Sequence, residues 1–349
     1  GIPEAADRPS MMLATLAALF VLLASPAASM WQKKEHLLST KPAAIGRWSF
    51  GSDHPEETLD HAGVVINGKL YAVGGKRMLN THEAFHVATA FVYDPEEDKW
   101  EQLPDRPGPA VENAAVTQLN GKVIVAGGST EAFTGSIKLV HEYDPISGNW
   151  STLPPMKVAR GGVTAQSLNG KVYVIGGMDD DSTSLSSVET YDPATKTWKL
   201  LSSLNERRDN PGSAVLNGEL YVFGGRTMIK HKEIEGNLNT VEKYDVSTDS
   251  WHYVAPMPTG RRTMVVGTIG GKAQLIGGEK MPETGASWSA NEEYDPKTNQ
   301  WRILQPMVTP RHGAAGGTIG NRVIVVGGGP TGGRAFSKVT EIFDYGEKE

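Results

Sequence analysis

With 349 residues, 39% of them apolar, the chain has material for a sizeable core, and length alone suggests two domains. Its 40 glycines and 21 prolines make up about 17% of the residues, above the roughly 12% average and below the roughly 25 to 30% of low-complexity chains. The absence of cysteine excludes a disulfide framework, a thiolate metal site and a cysteine nucleophile, and 34 basic against 40 acidic residues, a formal charge of −6, argue against nucleic acid as a partner.

The first element is the apolar run Leu13 to Ala24, preceded by Arg8 and followed by the small residues Ser25 to Ser29. A run of 12 is shorter than the roughly 20 residues of a membrane span and has the form of a secretory signal peptide, though Glu4 and Asp7 dilute the basic end. Residues 1–30 are therefore expected to be removed on export, with cleavage after Ala27 or Ser29 and a start at Met11 or Met12; an uncleaved anchor is the alternative. The expected location is secreted or periplasmic, without stable membrane insertion after cleavage. Residues 31–46 form an N-terminal segment, and 346–349 a C-terminal tail.

Between them the chain repeats. Gly-Gly pairs begin at Gly74, Gly127, Gly176, Gly224, Gly277 and Gly327. Each is followed by an aromatic-Asp step, at Tyr93, Tyr143, Tyr191, Tyr244, Tyr294 and Phe343, and in five units by a Trp seven residues later, at Trp100, Trp150, Trp198, Trp251 and Trp301. Turn pairs such as Asn67-Gly68 and Asn169-Gly170 precede the Gly pairs and supply the positive φ of a tight hairpin. Each unit reads as four short strands: two joined by that turn, a third ending at the aromatic-Asp step, and a fourth carrying the Trp.

Gly-Gly, Tyr-Asp and Trp in units of about 50 residues resemble the kelch repeat. The resemblance runs from about Trp48 to Tyr345 and implies an all-β fold, a six-bladed propeller of four-stranded antiparallel blades over residues 47–345. One domain then replaces the two suggested by length. Trp48 stands 26 residues before Gly74, as the other tryptophans stand before the next Gly pair, yet no unit precedes it. The last unit lacks a fourth strand, so the segment around Trp48 is expected to complete it and close the ring.

Sixteen residues before each Gly pair stand Thr58, Val111, Arg160, Arg208, Arg261 and Arg311. Four successive blades thus carry Arg at equivalent places around one end of the channel, where guanidinium forks suit carboxylates and phosphates. The same five-donor group serves equally to order loops between blades, and the sequence leaves both readings open. The resemblance implies that the loops between second and third strands share this face; they add Arg77, Arg226, Lys230, His231 and Arg334, with Phe85, Phe133, Trp288 and Phe336 as apolar contacts. Trp288 falls outside the repeat register, as a stacking surface for a sugar or aromatic side chain, or as a lid on its own blade.

Acid/base candidates beside the arginine positions are Asp60, His61, Glu112, Asp209 and His312, with Glu112, Asp209 and His312 the catalytic candidates. His82 and His86 stand four apart in a loop-like stretch and Asp179 to Asp181 lack the pattern of a calcium loop, so no metal or cofactor is nominated. Without cysteine the copper oxidases of the kelch type are excluded. The primary expectation is an exported binding module holding an acidic peptide or protein segment, or an anionic glycan, on an Arg-lined face. The alternative is a periplasmic sugar epimerase or mutarotase acting on an anionic sugar such as N-acetylneuraminate; an intracellular ubiquitin-ligase adaptor is the less expected third reading.

Overall fold

A computed structural model describes residues 45–346 apart from 80–82, 133, 281–285 and 333–334. The signal-peptide reading, His82, Phe133 and Arg334 lie outside the described residues. Six four-stranded antiparallel sheets account for the repeats, and no helix occurs among the described residues. Blade 1 comprises Ala62–Ile66, Lys69–Val73, Ala90–Asp94 and Lys99–Leu103. Blades 2 to 5 repeat this order from Ala115, Thr164, Gly212 and Val265. Blade 6 is composite: Ala315–Ile319, Arg322–Val326 and Thr340–Asp344 are completed by Arg47–Gly51, which pairs antiparallel with Thr340–Asp344 in the register Trp48 to Phe343.

The repeat residues each make a specific bond. Asn67 and Gly68 lie at φ 51° and 76°, the two left-handed positions of the first hairpin turn. The Asp of each aromatic-Asp step turns its carboxylate onto a backbone N–H two residues on, as Asp94 to Glu96, Asp144 to Ile146 and Asp344 to Gly346, each at 2.9 Å. The Gly pairs are required by crowding as well as φ: a Cβ on Gly127, at φ 67°, would stand 2.4 Å from the Arg160 carbonyl of the next blade.

Every repeat Trp donates its indole N–H to a carbonyl at the end of the preceding blade: Trp100 to Ser52, Trp150 to Pro104, Trp198 to Pro154, Trp251 to Ser202 and Trp301 to Ala255, at 2.8–3.1 Å. Trp48 does the same to Gln305 at 2.9 Å, so it occupies the sixth blade as its spacing implied. Six apolar clusters fill the six blade interfaces. The one joining last to first packs Leu70, Ala72 and Tyr93 against Ile324, Val326 and Ile342. Each sheet buries its faces on its neighbours, which a blade in isolation cannot do.

A second closure lies at the channel end. Asp60, Asn113, Gly162, Asn210, Thr263 and Gly313, one residue leading into each blade, all adopt left-handed φ between 51° and 59°. Each donates its N–H to the carbonyl of its counterpart one blade back: Asn113 to Asp60, Gly162 to Asn113, Asn210 to Gly162, Thr263 to Asn210, Gly313 to Thr263, and Asp60 to Gly313, at 2.6–3.1 Å. Six hydrogen bonds form a ring with no end. Thr263 is the strained member, because a β-branched residue at φ 54° is disfavoured and Asn fills the equivalent place in two other blades. Thr263→Asn is expected to stabilise by about 1 kcal/mol. A rise of roughly 2 °C in calorimetric Tm is the expected reading, and a fall would show that Thr263 contributes more by bonding than it costs in strain.

Candidate functional site at the channel mouth

The mouth lies at the end where the fourth strand of one blade leads into the first strand of the next, and where second and third strands connect. These second-to-third connections exceed the sequence expectation of plain loops. Among the described residues four form short hairpins: Lys76–Met78 with Ala84–His86, Ser129–Glu131 with Thr134–Ser136, Arg226–Ile229 with Lys232–Asn237, and Glu279–Lys280 with Ala286–Ser287. Neighbouring connections are tied together: the Ser136 hydroxyl donates to the Met178 carbonyl at 2.9 Å, Ser184 N–H to the Met228 carbonyl at 2.9 Å, and the Ser287 hydroxyl to the Gly329 carbonyl at 2.9 Å. Among the described residues the opposite face carries the tight turns between strands one and two, and three and four, and the ends of the described chain at Ile45 and Gly346. Below the mouth the channel has a free volume of about 170 Å³, lined by small and polar residues such as Gly63, Ala115, Thr164 and Ser213.

The four arginines do not line this channel. Arg160, Arg208, Arg261 and Arg311 are at most 1% exposed, and each is bonded within its own blade. One guanidinium nitrogen donates to the first carbonyl of the Gly pair, at Gly176, Gly224, Gly277 and Gly327, at 2.7–3.1 Å. The other reaches a buried carboxylate on the third strand, at Glu189, Glu242, Glu292 and Glu341, at 2.5–3.0 Å. Burial lowers the pKa of Arg160 and Arg261, and the facing glutamates oppose that shift. The ligand-contact reading of these four residues is therefore corrected: every one is an internal clamp between the loop leading into a blade and its third strand. Sequence reasoning missed the glutamates, yet the signal was present. Glu stands two residues before the aromatic-Asp step in the four blades that carry Arg, and Phe91 and His141 stand there in the two that do not.

Trp288 is also corrected. Its N–H donates to the Gly278 carbonyl at 2.8 Å and its carbonyl accepts from Arg311 N–H at 3.2 Å, the same pair of bonds made by Leu238, Leu185 and Ile137 in blades 4, 3 and 2. It is in register, half-buried, where other blades hold an aliphatic side chain. Arg226 is buried and donates from Nε to Asp209 at 3.1 Å, and Arg77 is paired with Glu56 and lies 5.3 Å over the Phe85 ring.

The residues that do meet at the mouth are the acid/base candidates, and each is engaged. Lys76 sits between Asp60, at 3.0 Å, and Glu112; His86 Nε2 is 3.6 Å from Glu112. Burial, the largest influence on each, would lower Lys76 and raise Asp60, but their mutual attraction and hydrogen bond together with Glu112 for Lys76 and with His312 and Arg262 for Asp60 outweigh it, so both are held charged. Asp209 accepts from the Ser184 hydroxyl at 2.7 Å as well as from Arg226. His312 Nδ1 lies 2.9 Å from the Ser287 hydroxyl and 3.1 Å from the Gly329 carbonyl. Arg262 pairs with Glu279. His61 is buried under this ring, with Nε2 3.3 Å from the Thr58 hydroxyl. Asp179 caps its own loop by accepting from the N–H of Asp181 and of Thr183.

Six antiparallel sheets in a ring, with a loop-built rim at one end of the channel, define a β-propeller. The profile of the KLHDC2/KLHL20/DRC7 Kelch-repeats domain matches residues 113–329, and that of the Kelch motif residues 58–107. The chain belongs to the kelch-repeat family. It is 28% identical over 232 residues to Kelch-like protein 15 of Danio rerio, covering 61% of this chain and 37% of that protein. It is 38% identical over 92 residues to an F-box/kelch-repeat protein of Arabidopsis thaliana, covering 26% of this chain and 24% of that protein. The solved structure of YjhT superposes with a TM-score of 0.68 at 16% identity, over 84% of this chain and 97% of that one. The chain spans well under half the length of the curated relatives it matches.

Proposed function

We propose that the protein is a binding module that holds an acidic segment of a partner protein on its mouth face, and that the apolar run at Leu13 to Ala24 directs it out of the cytoplasm. The observation that carries the reading is the hairpin Arg226–Asn237. It presents Ile229, Lys230, His231, Lys232, Glu233 and Ile234 as exposed side chains at the rim, with Lys230, His231 and Lys232 at the turn, Glu233 beside them and Ile229 and Ile234 as apolar flanks. Its turn places Lys230 and His231 in succession at φ 48° and 64°, a conformation that ordinarily calls for Asn-Gly. Non-glycine residues held there cost on the order of 1 kcal/mol each, and such strain is retained where the displayed side chains serve a purpose. With the four buried arginines spent internally, this tip supplies the cationic groups for an acidic ligand, and the apolar pair supplies desolvated contact.

Among the described residues Glu112, Asp209 and His312 each have an internal partner, which favours this reading over the sugar epimerase. A random-peptide display library panned on the full chain tests the proposal. Enriched peptides are expected to be rich in Asp and Glu and to lose at least tenfold in affinity on Lys230→Glu with Lys232→Glu. Ile146→Asp, on a turn of the opposite face, should leave affinity unchanged. Non-acidic peptides, or affinity indifferent to charge reversal at the tip, would overturn the reading. Binding of polysialic acid in place of peptide would move the ligand class to a glycan.

A further inference from the structure

Blades 1 and 2 fill the clamp position differently from the other four, and both use histidine. In blade 2 the Arg and Glu of the clamp are replaced by Val111 and His141, and a guanidinium enters the space from another point in the loop. Arg106 donates to the carbonyls of Pro107 and Pro109 and lies 3.0 Å from His141 Nδ1. Arg106 and His141 are each only 3% exposed. Arg106 is the charged group facing His141; the next residue along, Glu142, bonds Lys122 at 2.8 Å. The contact requires His141 Nδ1 to accept, so the imidazole is neutral, and a proton there would set two buried cations against each other.

In blade 1 the clamp pair becomes Thr58 and Phe91, and two buried histidines occupy the loop. His54 packs edge-on against Phe91 and Trp100, both at 4.7 Å between ring centres, and its ring centre is 5.9 Å from that of His61. His54 Nδ1 is held by the Glu56 backbone, 2.8 Å from its carbonyl, and its Nε2 is buried with no protein partner, so a proton added there has no acceptor; at His61 the Gly313 backbone offsets only part of the cost of burying a charged ring. Charged groups around His54 are Arg77 and Glu56, which pair with each other; Asp60, beside His61, is engaged by Lys76. On the blade 6 side Lys338 pairs with Asp53 at 3.6 Å.

We propose that blades 1 and 2 form an acid-releasable sector of the mouth: mild acid frees the loops at residues 53–61 and 104–113, while the four Arg–Glu clamps hold the remaining loops closed. The direction follows from linkage. Burial, with the Arg77 charge for His54, the His54 charge for His61 and the Arg106 charge for His141, pushes the three histidines down to about 4, about 3 and about 4 respectively, against 6.5 for an ordinary histidine. The closed loops are therefore favoured above pH 6.5, and that advantage is lost as pH falls from 6.5 toward 4, because the opened loop takes up protons that the closed loop refuses. Going from pH 7.5 to pH 5 multiplies the opening constant about thirtyfold per histidine. A free glutamate takes up little proton at pH 5, so opening an Arg–Glu clamp gains no comparable advantage.

Hydrogen exchange of the full chain read by mass spectrometry at pH 7.5 and pH 5, corrected for intrinsic rates, is the test. Residues 53–61 and 104–113 are expected to lose at least tenfold in protection at pH 5, with 155–162, 203–210, 256–263 and 306–313 unchanged. His141→Gln, which retains a neutral acceptor for Arg106, should abolish the response of 104–113 and leave that of 53–61. An equal response in all six loops, no response in the first two, or an undiminished response in His141→Gln would overturn the proposal. If that variant fails to fold, the comparison among the six wild-type loops decides alone.

Discussion

Arg160→Met is expected to destabilise the protein by about 3–5 kcal/mol, because it leaves the buried Glu189 carboxylate without its counter-charge. Glu189→Gln should cost a comparable amount: the guanidinium loses its anion, and the N–H groups of Lys157 and Val158, which donate to Glu189 at 2.7 and 2.9 Å, face a weaker acceptor. The double variant should cost clearly less than the sum, with a coupling of at least roughly 2 kcal/mol, since removing both members leaves no isolated buried charge. Urea unfolding of the four proteins provides the cycle. A solvent-facing arginine poised for ligand would instead give an Arg160→Met protein of unchanged stability and altered affinity.

The second large effect concerns closure. Trp48 packs on Phe343 at 5.2 Å between ring centres and donates to Gln305 across the blade interface. Trp48→Ala removes both contacts and should cost on the order of 3–5 kcal/mol, as for other large aromatic deletions. Deleting the whole strand Arg47–Gly51 goes further: it leaves Thr340–Asp344 as an unpaired edge, uncovers Phe343 and removes the blade 5 to blade 6 contact at Trp48. An exposed apolar edge strand templates aggregation, so the shortened protein should elute as aggregate in gel filtration. Phe50→Ser, in the same strand but at a side chain that is 61% exposed, is the control and should change stability by less than about 0.5 kcal/mol. A monomeric, cooperatively folding deletion protein would contradict the role given to this strand.

The fold was legible because its determinants recur at fixed offsets. The indole of Trp48 makes the bond of its five counterparts, so counting spacings was enough to place a strand nearly 300 residues from its partners in sequence. The site was less legible, for a physical reason. An Arg that satisfies carbonyls and a buried Glu has the same spacing as one that reaches into solvent, and spacing along one strand does not report which side chain stands across the blade. The Arg–Glu correspondence, present in four blades and absent together from two, carried that information, and reading Arg positions in isolation overlooked it. Trp288 misled in the opposite way. Its distance from the Gly pair differs from blade to blade and hid its register, yet it stands six residues before Tyr294, as Val87, Ile137, Leu185 and Leu238 stand before Tyr93, Tyr143, Tyr191 and Tyr244, and its backbone bonds to Gly278 and Arg311 agree. The hairpin Arg226–Asn237 offered Lys230 and His231 as contacts from sequence, but their positive φ and exposure emerge only in the fold.

The closed ring itself is tested most directly by amide exchange at its six bonded positions, Asp60, Asn113, Gly162, Asn210, Thr263 and Gly313, measured by NMR at neutral pH. If the bonds form one continuous ring, all six amides are protected with the free energy of global unfolding, and Asp60, whose bond to the Gly313 carbonyl spans the seam between last and first blades, is as slow as the rest. Fast exchange at Asp60 with protection at the other five would mean an open seam, and would contradict a ring completed by the strand at Trp48.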